Sequence, residues 1–384
     1  MSKKVLIMGG NGYLGWPTAM SLSKIGYDVT LVDNYIKQKI TREENISSLF
    51  PESSLEDKCR FWEKASNTKL NFYKKNLSSF DEFEFVILKV KPDIIIHYAE
   101  QPSAPYSMKN LKAAKFTLDN NLHTTLNLIF LVKQYVPDCH IIKLGTMGEY
   151  GTPNIDIEEG WINIKHNGKE HEFMFPRQGS SLYHTTKIMD TDLLWFYTRT
   201  WGIRVTDLMQ GPVYGFITHE MKENSELFTS FFYDEIFGTV LNRFLIQAIA
   251  NIPLTVYGSG KQKRGYLNII DTLECIKIAC INPPSHGVMN IYNQFTQTFS
   301  VNDLALMVKK AAKALDLSVI INKKINPRKE MEDHYYNPKN SNLKNLGLNP
   351  TLLTEERIIK MLIFLEKFKN KIKPEIIEKN IKWA

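Results

Sequence analysis

The stretch Gly9-Gly10-Asn11-Gly12-Tyr13-Leu14-Gly15 directly follows the apolar run Lys4-Val5-Leu6-Ile7-Met8, and it constrains the fold more than any other part of the chain. Gly9, Gly12 and Gly15 have the spacing of a tight strand-to-helix turn. Missing side chains there let the backbone approach a pyrophosphate and let the helix pack closely on its strand. A second strand-like run ends at Val32-Asp33, about 20 residues on, where a carboxylate accepts hydrogen bonds from adenosine ribose hydroxyls and repels a 2′-phosphate. Strand, turn and acid together predict a site for NAD in preference to NADP. Its candidate residues are Gly9, Asn11, Gly12, Tyr13, Leu14, Gly15, Asp33 and Asn34, with Tyr98 at the end of a later strand.

Short apolar runs at 4–8, 28–32, 70–73, 93–97 and 140–144 alternate with amphipathic helical patterns such as 111–136 and 182–201. That succession predicts an α/β fold built on a doubly wound parallel Rossmann sheet. Residues 1–205 read as the dinucleotide-binding domain. Residues 206–384 read mainly as a smaller, interleaved substrate lobe with some segments returning to the first, a strand-like RVTDLM at 204–209 and a terminal helix at 354–370. The polar segment 34–69 is long for a connection and is predicted to border the site.

Composition narrows the classes. With 43% hydrophobic and 23% charged residues over 384 positions the chain is ordinarily globular. No apolar run approaches the roughly 20 residues of a membrane span, and the chain opens on a strand instead of a targeting segment, which predicts a cytoplasmic protein without membrane insertion. The net charge of +7 is spread over lysines mixed with glutamates, a pattern that argues against nucleic acid and suits an anionic substrate. Cys59, Cys139, Cys275 and Cys280 have neither zinc nor redox spacing, and His166 and His171 lack partners at ligand spacing, so no metal is expected.

On the helical pattern from Leu182, Tyr183 and Lys187 stand four residues apart on one face, after a strand ending in Thr146. An ammonium there, with a positive nicotinamide, draws a phenol pKa from about 10 toward neutrality and makes it a base for a sugar hydroxyl.

These features resemble the extended short-chain dehydrogenases/reductases, the nucleotide-sugar epimerases and dehydratases. More narrowly, GTMGEYGTPNIDIEEG at 145–160, EQPSAPYSM at 100–108, QGPVYG at 210–215, RGYLNIIDT at 264–272 and HYYN at 334–337 resemble the UDP-sulfoquinovose synthases of that family. The resemblance runs from about residue 4 to 370. It implies synthesis of a sulfonated UDP-sugar from UDP-glucose and sulfite, with NAD regenerated in each turnover through a 4-ketone and a 5,6-ene. It further implies that Tyr183 is the base at the C4 hydroxyl, that Lys187 holds the cofactor ribose, and that Thr146 hydrogen-bonds the C4 oxygen. By the same resemblance Arg264 and Arg328 hold the pyrophosphate, Gln101, Ser103 and Tyr106 border the hexose, and Gln210 and Asn242 contact sugar or nucleotide. Members of plant type carry arginine where this chain has Pro102.

In the related 4,6-dehydratases an Asp-Glu pair follows the strand-end threonine and supplies the acid and base; here Met147 and Gly148 take those places. Glu149 is the nearest carboxylate for proton transfer, with His184 as a second candidate. Glu149 has an alternative role as a structural acceptor for backbone N–H groups. The uncharged Met147-Gly148 pair leaves room for anionic sulfite. Competing readings are a UDP-sugar 4-epimerase or 4,6-dehydratase and, from another class, a non-catalytic NAD-binding regulator. The helices at 111–136 and 182–201 suit a four-helix contact between two chains, which predicts a homodimer.

Overall fold

The computed structural model describes residues 2–221, 224–327 and 333–377. Seven strands form the central sheet: β1 (Lys4–Met8), β2 (Asp28–Asp33), β3 (Asn71–Lys74), β4 (Ile94–His97), β5 (His140–Thr146), β6 (Arg204–Gln210) and β7 (Met289–Gln294). All pair in parallel in the order β3-β2-β1-β4-β5-β6-β7. This is the doubly wound Rossmann arrangement extended by one strand, and the order reverses between β1 and β4, where such sheets bind ligands at their carboxyl ends.

Parallel strands are covered on both faces, so their side chains divide between two cores. Val5 and Ile7 of β1 pack with Trp16 and Ala19 of helix α1 (Gly15–Lys24). Leu6 and Met8 point the other way, toward Leu128 and Val132 of helix α2 (Leu111–Tyr135). Helix α3 (Leu182–Trp201) lies beside α2 and under β5. This two-sided burial is why Ile94-Ile95-Ile96 reads as an unbroken apolar run.

Of the main sheet's strands, β6 straddles residue 205 and β7 lies wholly beyond it. RVTDLM is the body of β6, and β7 joins it only after a long excursion. The excursion and the chain after β7 build the second lobe: a three-stranded sheet of Val213–Tyr214, Lys263–Asn268 and Gln297–Ser300, and a pair formed by Leu254–Tyr257 with Ile321–Lys324. The segment 34–69 folds into two helices, Ile36–Glu43 and Leu55–Ser66. His166 and His171 lie on an exposed antiparallel hairpin, Trp161–His166 with Lys169–Met174. The terminal helix is shorter than its pattern predicts, ending at Glu366. All four cysteines are buried thiols, and no described helix is long and apolar enough to cross a membrane.

Candidate active site

A cavity of about 770 Å³ opens at the carboxyl ends of β1, β2, β4, β5 and β6 and is closed on its far side by the second lobe. Its dinucleotide end is the glycine turn. Gly9 has φ +81°, and a Cβ there would lie 2.9 Å from the Tyr98 carbonyl carbon and oxygen. A Cβ at Gly15 would collide with the Gly9 carbonyl oxygen, so the turn closes only around glycine. Gly9, Gly12, Tyr13, Leu14 and Gly15 line the cavity, as do Asp33, Asn34 and Tyr98.

Asp33 shapes the turn as well as facing the cavity. Its two carboxylate oxygens accept the Asn11 N–H at 2.9 Å and the Tyr35 N–H at 2.7 Å. Asn11 itself is buried and does not reach the cavity; its side chain accepts from the Lys58 ammonium at 2.8 Å. Lys58 belongs to the 34–69 insertion, and burial pushes its pKa down to about 8. The second lobe clamps the same turn, with the Thr229 hydroxyl donating to Tyr13 O at 2.8 Å and the Tyr13 hydroxyl donating to Gly215 O. These residues fit a dinucleotide: a backbone cradle at a helix start and an oriented carboxylate at the second strand's end. A Gly15→Ala variant is expected to lose about tenfold or more in NAD affinity, because its Cβ forces the turn open; titration calorimetry reads the loss, and unchanged affinity contradicts the cradle.

At the other end of the dinucleotide trough, Thr146, Tyr183 and His184 line the cavity together. Ser181 caps α3, accepting the His184 N–H, so Tyr183 and His184 project from its first turn. Lys187, one turn on, is only 3% exposed and does not line the cavity. Its ammonium donates to Glu100 at 2.5 Å and to Leu144 O. The four-residue spacing predicts a lowered Tyr183 pKa, but the protein's own groups do the reverse. Burial pushes the phenol up, and Glu100 and Glu149 push it further.

Glu149 proves to be walled off from the reacting space. It is fully buried, absent from the cavity wall, and turned into the interior against Lys143 of β5 and Thr191 of α3. Its oxygens accept from Lys143 at 3.2 Å, Arg177 at 2.5 Å, the Thr191 hydroxyl at 3.1 Å and the Thr146 N–H at 3.1 Å. Burial opposes its ionisation, yet Lys143 and Arg177 hold its carboxyl below the usual range. Asp207 on β6, paired in register with Lys143 on β5, accepts from the same ammonium at 3.3 Å. In this structure Glu149 makes the contacts of a structural acceptor, and its carboxylate does not reach the cavity that proton transfer would require. A lysine inside a buried β5 and an aspartate inside a buried β6 were the sequence signal for this cluster, since such charges persist in a core only when paired.

His184 takes the position that Glu149 does not. A Cβ on residue 148 would collide with the His184 Nε2, so the imidazole occupies the space over Gly148 that a longer side chain would fill. Nδ1 lies 3.0 Å from the Ser180 hydroxyl and 3.1 Å from that of Ser181.

The substrate end corrects two further expectations. Gln101 is 1% exposed and tied down, to Ser103 O of its own loop at 3.0 Å and to the Thr117 hydroxyl of α2 at 2.9 Å. Tyr106 packs against Phe116 in the core. Neither lines the cavity; Pro102, Ser103 and Ala104 do. Gln210, Asn242 and Arg264 are on its wall, while Arg328 lies outside the described residues. Arg243 and Gln262 line it as well; Arg243 stacks over Tyr257 at 5.6 Å, and a cation on a helix following an unpatterned loop gave no local clue.

The profile of the NAD dependent epimerase/dehydratase family matches residues 5–293. The chain belongs to that family. Within it, the chain is 43% identical over 381 residues to a chloroplastic UDP-sulfoquinovose synthase of Spinacia oleracea, covering 99% of this chain and 79% of that protein. It is 40% identical to a UDP-sulfoquinovose synthase of Sulfolobus acidocaldarius, covering 97% and 96%. The crystal structure of a UDP-glucose 4-epimerase from Bifidobacterium longum with NAD+ and UDP superposes with a TM-score of 0.71 at 21% identity, over 96% of this chain and all of that one; that likeness is one of fold. Family membership supports NAD as the cofactor, and the glycine turn and Asp33 have the geometry to take it.

Proposed function

We propose that this epimerase/dehydratase family member makes UDP-sulfoquinovose from UDP-glucose and sulfite. The observation that carries the reading is the strand end Thr146-Met147-Gly148, where no carboxylate enters the cavity and His184 Nε2 stands over Gly148. Identity above 40% to the spinach protein along nearly the whole chain supports it.

NAD supplies reversible acceptance of the C4 hydride. Tyr183 takes the C4 hydroxyl proton, and Thr146 holds the C4 oxygen. The Thr146 hydroxyl accepts the Gly148 N–H at 3.1 Å, which leaves its own proton to donate. A proton on His184 Nδ1, given to the serine hydroxyls, makes Nε2 the basic nitrogen for the acidified C5 proton and then the acid for the departing C6 hydroxyl. Bisulfite adds at C6 of the resulting ene, its sulfur lone pair forming the C–S bond while its proton passes by way of His184 to C5; return of the hydride to C4 and of the Tyr183 proton to the C4 oxygen completes the sulfonated sugar. In this reading Arg264, Arg243 and Asn242, which line the cavity, hold the UDP moiety, a task suited to guanidinium groups. With Pro102 where the resemblance expects arginine, sulfite is held without a cation from that position. Mass spectrometry of the nucleotide sugar after incubation with UDP-glucose, NAD and sulfite tests the reading: a UDP-hexose sulfonate supports it, and UDP-galactose or a 4-keto-6-deoxy sugar formed equally without sulfite returns the chain to the epimerase or dehydratase reading.

The chain works as a homodimer through α2 and α3 in this proposal. Phe130 and Phe196 are 43% and 49% exposed on neighbouring helices, flanked by exposed Leu126 and Met189, an apolar face of the kind that marks an interface. Sedimentation is expected to give a dimer that Phe196→Asp dissociates; a monomeric wild type contradicts it. A cytoplasmic location, checked by cell fractionation, completes the proposal.

A further inference from the structure

Behind Tyr183 is a second buried charge cluster that the reaction as described does not use. Glu100 follows β4, is 4% exposed at its side chain, and lines the cavity. Its Oε1 meets the Lys187 ammonium at 2.5 Å and lies 3.8 Å from His97 Nε2. The loop is rigidly placed: Asn121 of α2 accepts the Gln101 N–H at 2.9 Å and donates to the Thr186 hydroxyl, beside Lys187, at 3.1 Å. Lys187 is also fixed from β5 at both ends, its ammonium on Leu144 O and its carbonyl accepting from Lys143 at 3.2 Å. The ammonium that a Tyr-x-x-x-Lys pair aims at the phenol is thus pinned, and its charge is matched by a carboxylate within the same wall.

We propose that Glu100 is a positioning residue that sets the proton affinity of Tyr183 by fixing and neutralising Lys187. The inference rests on Tyr183 being the base of the proposed reaction. It explains why a base can hold a sugar proton through several steps: with Lys187 compensated, Tyr183 binds the proton firmly, and the positive nicotinamide ring is left to favour its ionisation when the dinucleotide is bound. The titratable groups that act on Tyr183 are Glu100 from the β4 loop and the buried Glu149, which raise its pKa, Lys143 from β5, which lowers it, and Asp190 from α3 itself; the His184 ring is 5.3 Å away. Burial and Glu100 push the carboxyl of Asp190 well above the usual range; burial raises Glu100 as well, while the Lys187 ammonium beside it favours its ionised form. His97 is held neutral by burial and by Lys187 and Lys143.

Removing the Glu100 charge leaves the ammonium less compensated, favours the phenolate, and lowers the Tyr183 pKa. In NAD-loaded Glu100→Gln enzyme, phenolate absorbance read as the difference from the matching Tyr183→Phe variant is expected to titrate about one pH unit lower than in wild type. The rising limb of kcat/KM against pH is expected to shift by the same amount. Because Asp190 can ionise to take over the lost charge, the comparison is made also in the Asp190→Asn background. A downward shift in either background supports the proposal; wild-type titration in both overturns it. The absorbance titration needs no substrate, so it stands or fails independently of which sugar the enzyme makes.

Discussion

A Tyr183→Phe variant is expected to lose about 10²- to 10⁴-fold in kcat with UDP-glucose, the usual contribution of a positioned general acid-base group. The ring stays packed against His184 at 5.3 Å between centroids, and only the hydroxyl of this cavity-lining residue is lost. NAD affinity is therefore expected to stay within about twofold of wild type, since the glycine turn and Asp33 are untouched. Rates from product mass and a parallel NAD titration check the pair of outcomes, and near-normal turnover would remove Tyr183 from the chemistry.

The second large effect falls on stability. Glu149→Ala removes the acceptor shared by Lys143, Arg177, Thr191 and the Thr146 N–H. Two cations are then left in a dry interior with Asp207 as the nearest remaining carboxylate. Breaking a buried pair from one side costs about 3–5 kcal/mol, because the partner's charge is stranded; urea unfolding measures it. Glu149→Gln keeps the shape and some hydrogen bonds and is expected to unfold between wild type and Glu149→Ala. The two roles for Glu149 separate here. As a proton-transfer group it would lose activity in Glu149→Gln at unchanged stability; as the clamp of this cluster it loses stability first, and activity only as Thr146 and Lys187 drift.

Local patterns carried the fold. The turn at Gly9–Gly15, the acid at Asp33 and the apolar runs are read within a few residues of sequence, and each corresponds to an element at nearly the predicted bounds. The fold past residue 205 was harder because β6 and β7 pair in the sheet across an excursion that builds the second lobe, and pairing at such range leaves no periodic trace. Gln101 and Tyr106 show how a motif can mark a segment without marking its side chains. Their loop does border the cavity, but the Ser103 hydroxyl bonds Ile236 O at 2.5 Å, and that contact with the second lobe turns Pro102 and Ala104 to the cavity while Gln101 and Tyr106 face the core. Glu100 stood inside the same motif and went unused, because its partner Lys187 comes from a helix that only the fold brings near. Met147-Gly148 was legible as a missing carboxylate; that His184 fills the gap follows from α3 starting directly above it.

In the proposed sulfonation the C4 hydride leaves and returns within one active site. UDP-glucose carrying deuterium at C4 tests it most directly, incubated with enzyme, NAD and sulfite and analysed by mass spectrometry. The expected product is a UDP-hexose sulfonate that retains the deuterium and forms only when sulfite is present. A deuterated product of unchanged sugar mass, or a deoxy sugar made equally well without sulfite, would contradict it.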